Sequence, residues 1–219
     1  METVSSRLLQ EAIDAFSTLP GVGKRTAMRY VLHLLGREKD EIQQFAETVI
    51  KLRDNIRYCA VCGNISDTEL CGICSNPKRD KSTMCIVESI RDVMAIESTG
   101  QYFGTYHVLG GLISPIDGRG PDDINAATIA SRVEEDLVRE VIIALKSTVE
   151  GDTTGFYIYR RIQSMGVNIS KIARGIAIGD EIEYTDEVTL GRSILDRVPY
   201  ENRQQTLVRS TFDETRNGR

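Results

Sequence analysis

Cys59-Ala60-Val61-Cys62 and, eight residues on, Cys71-Gly72-Ile73-Cys74 decide how this chain is read. Two residues between cysteines allow a tight turn to aim both sulfurs at one ion, and Gly63 directly after Cys62 supplies backbone that tolerates a positive φ. Two such turns offer four thiolates, the donor set of tetrahedral zinc. Four protein ligands leave no position for water, so the expected role of Cys59, Cys62, Cys71 and Cys74 is structural. An iron–sulfur centre or redox dithiols would use the same residues. The module spans 58–80, and about 23 residues cannot bury enough surface to fold unaided. Cys85, the fifth cysteine, lies in an apolar run and reads as a core thiol.

On the N-terminal side, residues 1–57 read as helical. Leu9, Ile13 and Phe16 share one face, and Ile42, Phe45, Val49, Leu52 and Ile56 follow a 3.6-residue period. Asp40 is the expected N-cap of that longer helix. Between these stretches Leu19-Pro20-Gly21-Val22-Gly23 forms a turn into a helix from about Lys24 to Leu35, with Gly36 as its stop. Gly21 and Gly23 would let backbone approach a phosphate, and the next helix start offers free N–H groups and a positive dipole end. Lys24, Arg25 and Arg29 sit there, and residues 18–37 carry no acid. Such a site grips a nucleic-acid backbone without reading bases. A plain turn between packed helices, with solvated cations, is the competing reading.

On the C-terminal side the pattern is α/β. Met84-Cys85-Ile86-Val87 reads as a strand covered on both faces. Further strands are expected at Tyr106–Leu109, Val138–Leu145 and Ile169–Ala173. A helix capped by Asp122 or Asp123 should carry Ala126, Ala130, Val133 and Leu137. Another, capped by Thr153 or Thr154, should carry Ile158, Ile162 and Met165. Alternating strands and helices imply a mainly parallel sheet. An acidic stretch at 180–187 precedes a helix from about Val188 to Arg197, and a loose tail is expected beyond Pro199. The domains are therefore read as 1–57, 58–80, 81–175, 176–200 and 201–219.

Glu88 ends the first of these strands, with Asp92 one helical turn later, and Glu150 and Asp152 follow the third. In a parallel sheet these ends meet at one edge. Four carboxylates there could hold Mg2+, or stay as solvated loop acids. His33 and His107 read as structural. Neither a nucleophile triad nor a Gly-x4-Gly-Lys-Ser/Thr phosphate loop is present.

The chain has 219 residues, 41% hydrophobic and 27% charged, with a net charge of −5. That composition fits an ordinary globular protein and argues against a general polyanion binder, so any nucleic-acid contact would have to come from a local basic patch. The absence of a long apolar run or a signal-peptide pattern points to the cytoplasm, and five cysteines in that reducing compartment argue against disulfides.

Taken in order, these parts resemble the RecR family of bacterial recombination mediators. The likeness rests on Leu19-Pro20-Gly21-Val22-Gly23-Lys24-Arg25-Thr26-Ala27, on the four cysteines, on Tyr106 to Pro115, on Thr148-Val149-Glu150-Gly151-Asp152-Thr153-Thr154 and on Ile182-Glu183-Tyr184-Thr185-Asp186. It covers residues 5 to about 200. It implies an α+β multi-module protein: a helix-hairpin-helix, a four-cysteine zinc finger, a Toprim domain and a C-terminal helical segment. It further implies a non-catalytic, nucleoid-associated protein that binds DNA. Such a protein forms a tetrameric ring and works with RecO and RecF to load RecA onto single-stranded or gapped DNA. The family's basic hairpin residues correspond to Arg25 and Arg29, with Lys24 added; relatives carry Pro-Lys where this chain has Lys24-Arg25. The Toprim acids correspond to Glu88, Asp92, Glu150 and Asp152, a region tied in the family to partner binding. Asp152 stands where relatives often carry Glu. The rival readings are a Mg2+-dependent Toprim nuclease or primase-like enzyme, and a zinc scaffold without DNA contact.

Overall fold

The computed structural model describes residues 6–198; the tail expected at 201–219 lies outside the described residues. Helix α1 spans Arg7–Ser17, α2 Lys24–Leu35 and α3 Lys39–Asn55. The Ser6 hydroxyl caps α1 by accepting the Leu9 N–H at 3.3 Å. Ile13, Ala27 and Val31 form a small core between α1 and α2, closed by Leu9, Phe16 and Val22. Gly36 ends α2 as expected, its N–H donating to the carbonyls of His33 and Leu34. One expectation for α3 does not hold. Its N-cap is Glu38, so Asp40 lies inside the first turn, where it favours the positive end of the helix dipole. The stripe Phe45, Val49 and Leu52 is exposed and α3 buries no residue. A 3.6-residue period reports that a face is apolar, not what covers it.

A two-stranded antiparallel hairpin follows, β1 Arg57–Tyr58 and β2 Ile65–Ser66. The α/β part then runs β3 Asp80–Val87, α4 Ile90–Ser98, β4 Gly104–Val108, α5 Ile129–Glu135, β5 Glu140–Ala144, α6 Val149–Ile162, β6 Asn168–Lys171 and α7 Glu187–Leu195. Its four strands are all parallel, in the order β4-β3-β5-β6. Alternating residues of β3 serve opposite faces. Met84 and Ile86 pack with Ile129, Val133, Ile158 and Ile162 on the α5/α6 side. Cys85 and Val87 pack with Val93 of α4 on the other. Burial pushes the Cys85 thiol up to about 12, which keeps it a neutral core group.

Three local expectations are corrected. Asp123 accepts the Gly120 N–H at 2.7 Å over a short 3-10 turn, Pro121–Asp123, and α5 begins only after Thr128. Ala126 and Val133 are buried as expected, but Leu137 lies past the helix, exposed, at φ 52°. The cap of α6 is Thr148, which accepts the Gly151 N–H, rather than Thr153 or Thr154. Glu150 and Asp152 thus lie in a first helical turn, not in a loop. The sequence reading also omitted α4, whose Ser89/Asp92 capping box fixes its start.

A buried cation anchors α5 to the sheet. Arg132 donates to the Tyr106 carbonyl at 2.7 Å and to His107 Nδ1 at 3.0 Å. With Nδ1 accepting, the His107 proton is on Nε2, facing the Asn125 carbonyl. Burial, and then the adjacent guanidinium, hold His107 neutral, down to about 4 from an ordinary 6.5. The unfolded chain therefore binds one more proton between those values, and stability falls as pH is lowered through that window. The slope approaches about 1.4 kcal/mol per pH unit. Denaturant titrations of the wild type and His107→Gln across this window should show a shallower pH dependence in the variant; equal slopes would show that His107 does not set it.

Candidate metal centre and nucleic-acid interface

The Sγ atoms of Cys59, Cys62, Cys71 and Cys74 lie within 4.8 Å of one another, and those of Cys62 and Cys71 are 3.5 Å apart. Tetrahedral zinc with Zn–S bonds of about 2.3 Å requires S···S separations near 3.8 Å. The hairpin brings the first pair round: Cys59 N–H donates to the Asn64 carbonyl at 2.7 Å and Gly63 N–H to the Cys59 carbonyl at 3.0 Å. Gly63 adopts φ 74°, and a Cβ there would meet the Val108 carbonyl oxygen at 2.9 Å, so the position requires glycine. Backbone N–H groups of Asn64 and Cys74 point at the sulfurs of Cys62 and Cys71, each at 3.5 Å. Burial raises Cys59, but N–H donors from Cys71, Cys62 and Val61 outweigh it and bring the thiol down to about 7. Cys62 is pushed well up by its contact with Cys74 and by burial. A divalent cation reverses that conflict by stabilising all four thiolates together. The residues present therefore fit structural zinc.

In the helical hairpin, Val22 N–H donates to the Leu19 carbonyl at 3.1 Å with Pro20 and Gly21 between. Gly21 at φ 77° supplies the left-handed residue of a type II turn. Gly23 is the N-cap of α2 at φ −79°, so it carries no conformational demand, only a bare surface. No side chain caps α2, unlike α1, α6 and α7, and its first N–H groups stay open. Gly21, Gly23, Lys24, Arg25 and Arg29 are all exposed. None of the three cations is in an ion pair among the described residues. The Arg29 guanidinium rests 5.8 Å from the Tyr30 ring centre. The hairpin thus presents unobstructed cations beside an open helix start.

The carboxylates are arranged differently. Glu88 pairs with Lys146 at 3.2 Å, across the mouth between β3 and β5. Asp152 pairs with Lys171 at 3.0 Å and Arg174 at 3.3 Å. Lys171 and then Arg174 hold the Asp152 carboxyl below its usual range. Asp92 is committed to the Ser89 N–H and hydroxyl at 2.7 and 3.0 Å. Glu150 is held low chiefly by the Thr148 hydroxyl. Among the described residues these acids form no cluster like that of the four thiols. The sequence reading missed Lys146, Lys171 and Arg174, because cations distant in the chain give no spacing to recognise.

Comparison with known proteins follows the same order. Family models match as RecR helix-hairpin-helix over 9–52, RecR four-cysteine zinc finger over 56–76, Toprim domain over 82–173 and RecR C-terminal over 175–198. Recombination protein RecR of Phocaeicola vulgatus is 60% identical over 192 residues, covering 88% of this chain and 94% of the relative. That of Bacteroides thetaiotaomicron is 58% identical with the same coverage. That of Porphyromonas gingivalis strain W83 is 56% identical over 200 residues, covering 91% and 97%. The chain belongs to the RecR family. The four thiols are thus the zinc finger of a RecR-family protein, and the parallel sheet is its Toprim domain. No helix of the described residues is long and apolar enough to cross a membrane.

Zinc binding in modules of this size contributes on the order of 10–16 kcal/mol apparent, so metal and local fold are coupled. Cys62→Ser is expected to lose stoichiometric zinc by elemental analysis and to lower the melting temperature. Full zinc content with native melting would contradict the assignment.

Proposed function

We propose that this RecR-family protein is a DNA-binding recombination mediator that carries out no chemistry itself. It acts with RecO and RecF to promote RecA loading onto single-stranded or gapped DNA, in the cytoplasm at the nucleoid. The observation that carries the DNA part is the uncapped start of α2, with Lys24, Arg25 and Arg29 exposed and unpaired beside it among the described residues. A phosphate there gains hydrogen bonds from open backbone N–H groups and the attraction of three cations. None of this reads a base, so binding is independent of sequence.

Assembly and partners complete the reading. The bare stripe of Phe45, Val49 and Leu52 on α3 suits contact with another copy, as in the tetrameric ring that the family resemblance implies. A ring would set several basic hairpins around one DNA and offset a net charge of −5. The Toprim acids suit partner recognition better than turnover. Glu88 and Asp152 are already matched by cations, and Asp92 serves as a helix cap. No Mg2+ step enters this reading.

The test is the salt dependence of DNA binding. Arg25→Ala with Arg29→Ala should weaken binding to unrelated sequences alike. It should also lower the log–log salt slope by about 0.7 for each single-strand phosphate no longer neutralised, or about 0.9 on duplex. An unchanged slope, or weakening confined to one sequence, would refute the assignment.

A further inference from the structure

A crevice of about 550 Å3 opens between the zinc hairpin and the carboxyl ends of β3 and β4, walled by Tyr58, Ala60, Ile90, Val108, Leu109 and Asn125. Of the four metal-ligating cysteines only Cys59 touches it, so it is not the space of the zinc ion. We propose that it receives an unstacked nucleobase of single-stranded DNA, stacked on Tyr58; this rests on the DNA-binding reading above and adds a second contact to it. Its volume falls in the roughly 300–1,000 Å3 range of small-ligand sites. Its place, outside the carboxyl edge of a parallel sheet, is where such folds take ligands.

Three features fit a base. Tyr58 is 75% exposed, yet its backbone is fixed by pairing with Ile65 and by the adjacent Cys59 N–H bond to Asn64. An aromatic face presented this rigidly loses little freedom on stacking. Ile90, Val108 and Leu109 give apolar walls. Ser89, also at the lining, donates its hydroxyl proton to Asp92 and accepts from the Asp92 N–H in the capping box, which leaves one lone pair to accept from a ligand. Asn125 commits one amide hydrogen to the Val108 carbonyl at 3.1 Å, which leaves the second to donate. One acceptor and one donor suit the edges of several bases, as a sequence-independent binder requires. The charge also fits. Arg57, beside Tyr58 in the chain, and Arg91, beside Ile90, are exposed and in no ion pair among the described residues. They can meet the phosphates flanking an inserted base.

The test uses the full zinc-loaded protein with a short oligothymidylate and an abasic oligonucleotide of equal length, first at one salt concentration and then across a salt series. Wild type and Tyr58→Phe should bind the thymidylate about tenfold more tightly than the abasic strand, within the contribution of one base–aromatic stack. Tyr58→Ala should abolish that preference, leave abasic affinity unchanged and keep the salt slope. If Tyr58→Ala binds thymidylate like wild type, or weakens both strands equally, the base pocket is wrong. A continued loss in the Arg25/Arg29 double variant would then leave the phosphate-gripping reading intact. If wild type binds neither strand, both readings fall.

Discussion

One main-chain hydrogen bond joins the metal module to the sheet: Val108 N–H donates to the Cys62 carbonyl at 2.8 Å. β4 is the outer strand of the parallel sheet on that side, and every residue from Gly104 to Val108 is buried. A buried edge strand with nothing over it would invite pairing with other chains. Here the loop that ligates zinc covers its end, with Gly63 close against the Val108 carbonyl and Ile73 against the Cys85–Tyr106 cluster. The zinc site thus does more than fold its own short module. It finishes the sheet, and it forms one wall of the crevice at the sheet's carboxyl edge.

Charge is divided between surfaces in a comparable way. The chain is acidic as a whole, yet its helical hairpin keeps a stretch without acids and a helix start without a cap. At the Toprim edge and beside α4, cations and carboxylates are matched. Lys146 with Glu88, and Lys171 and Arg174 with Asp152, neutralise the Toprim edge. Arg79 with Glu97, which also accepts from the Tyr106 hydroxyl, ties the zinc-module exit to α4. The result is one surface with unpaired cations beside an open helix start, and another whose charges are pre-paired.

Much of this is legible in the sequence, for identifiable reasons. Cysteine spacing points to a four-thiolate site because coordination geometry leaves few alternatives. The run Met84 to Val87 announces a strand covered on both faces, and α4 on one side with α5 and α6 on the other supply the cover. Helix starts are harder to read. Asp122, Asp123, Thr153 and Thr154 all resemble caps, since each can accept a backbone N–H. Which one does so depends on the tertiary turn around it. Thr148 is hidden by the acids and glycine that follow it. The acidic edge is obscure for a different reason. Four carboxylates near strand ends suggest a metal, but their partners Lys146, Lys171 and Arg174 come from other parts of the chain and leave no local pattern.

The most direct test of the coupling between metal and sheet is amide hydrogen exchange before and after zinc is stripped by a chelator. Protection should vanish across residues 58–76 and at Val108, at the end of β4, while the β5 amides of Val141 to Ile143 keep theirs. If Val108 exchanges at the same rate with and without zinc, the metal loop does not close the sheet, and the coupling is contradicted.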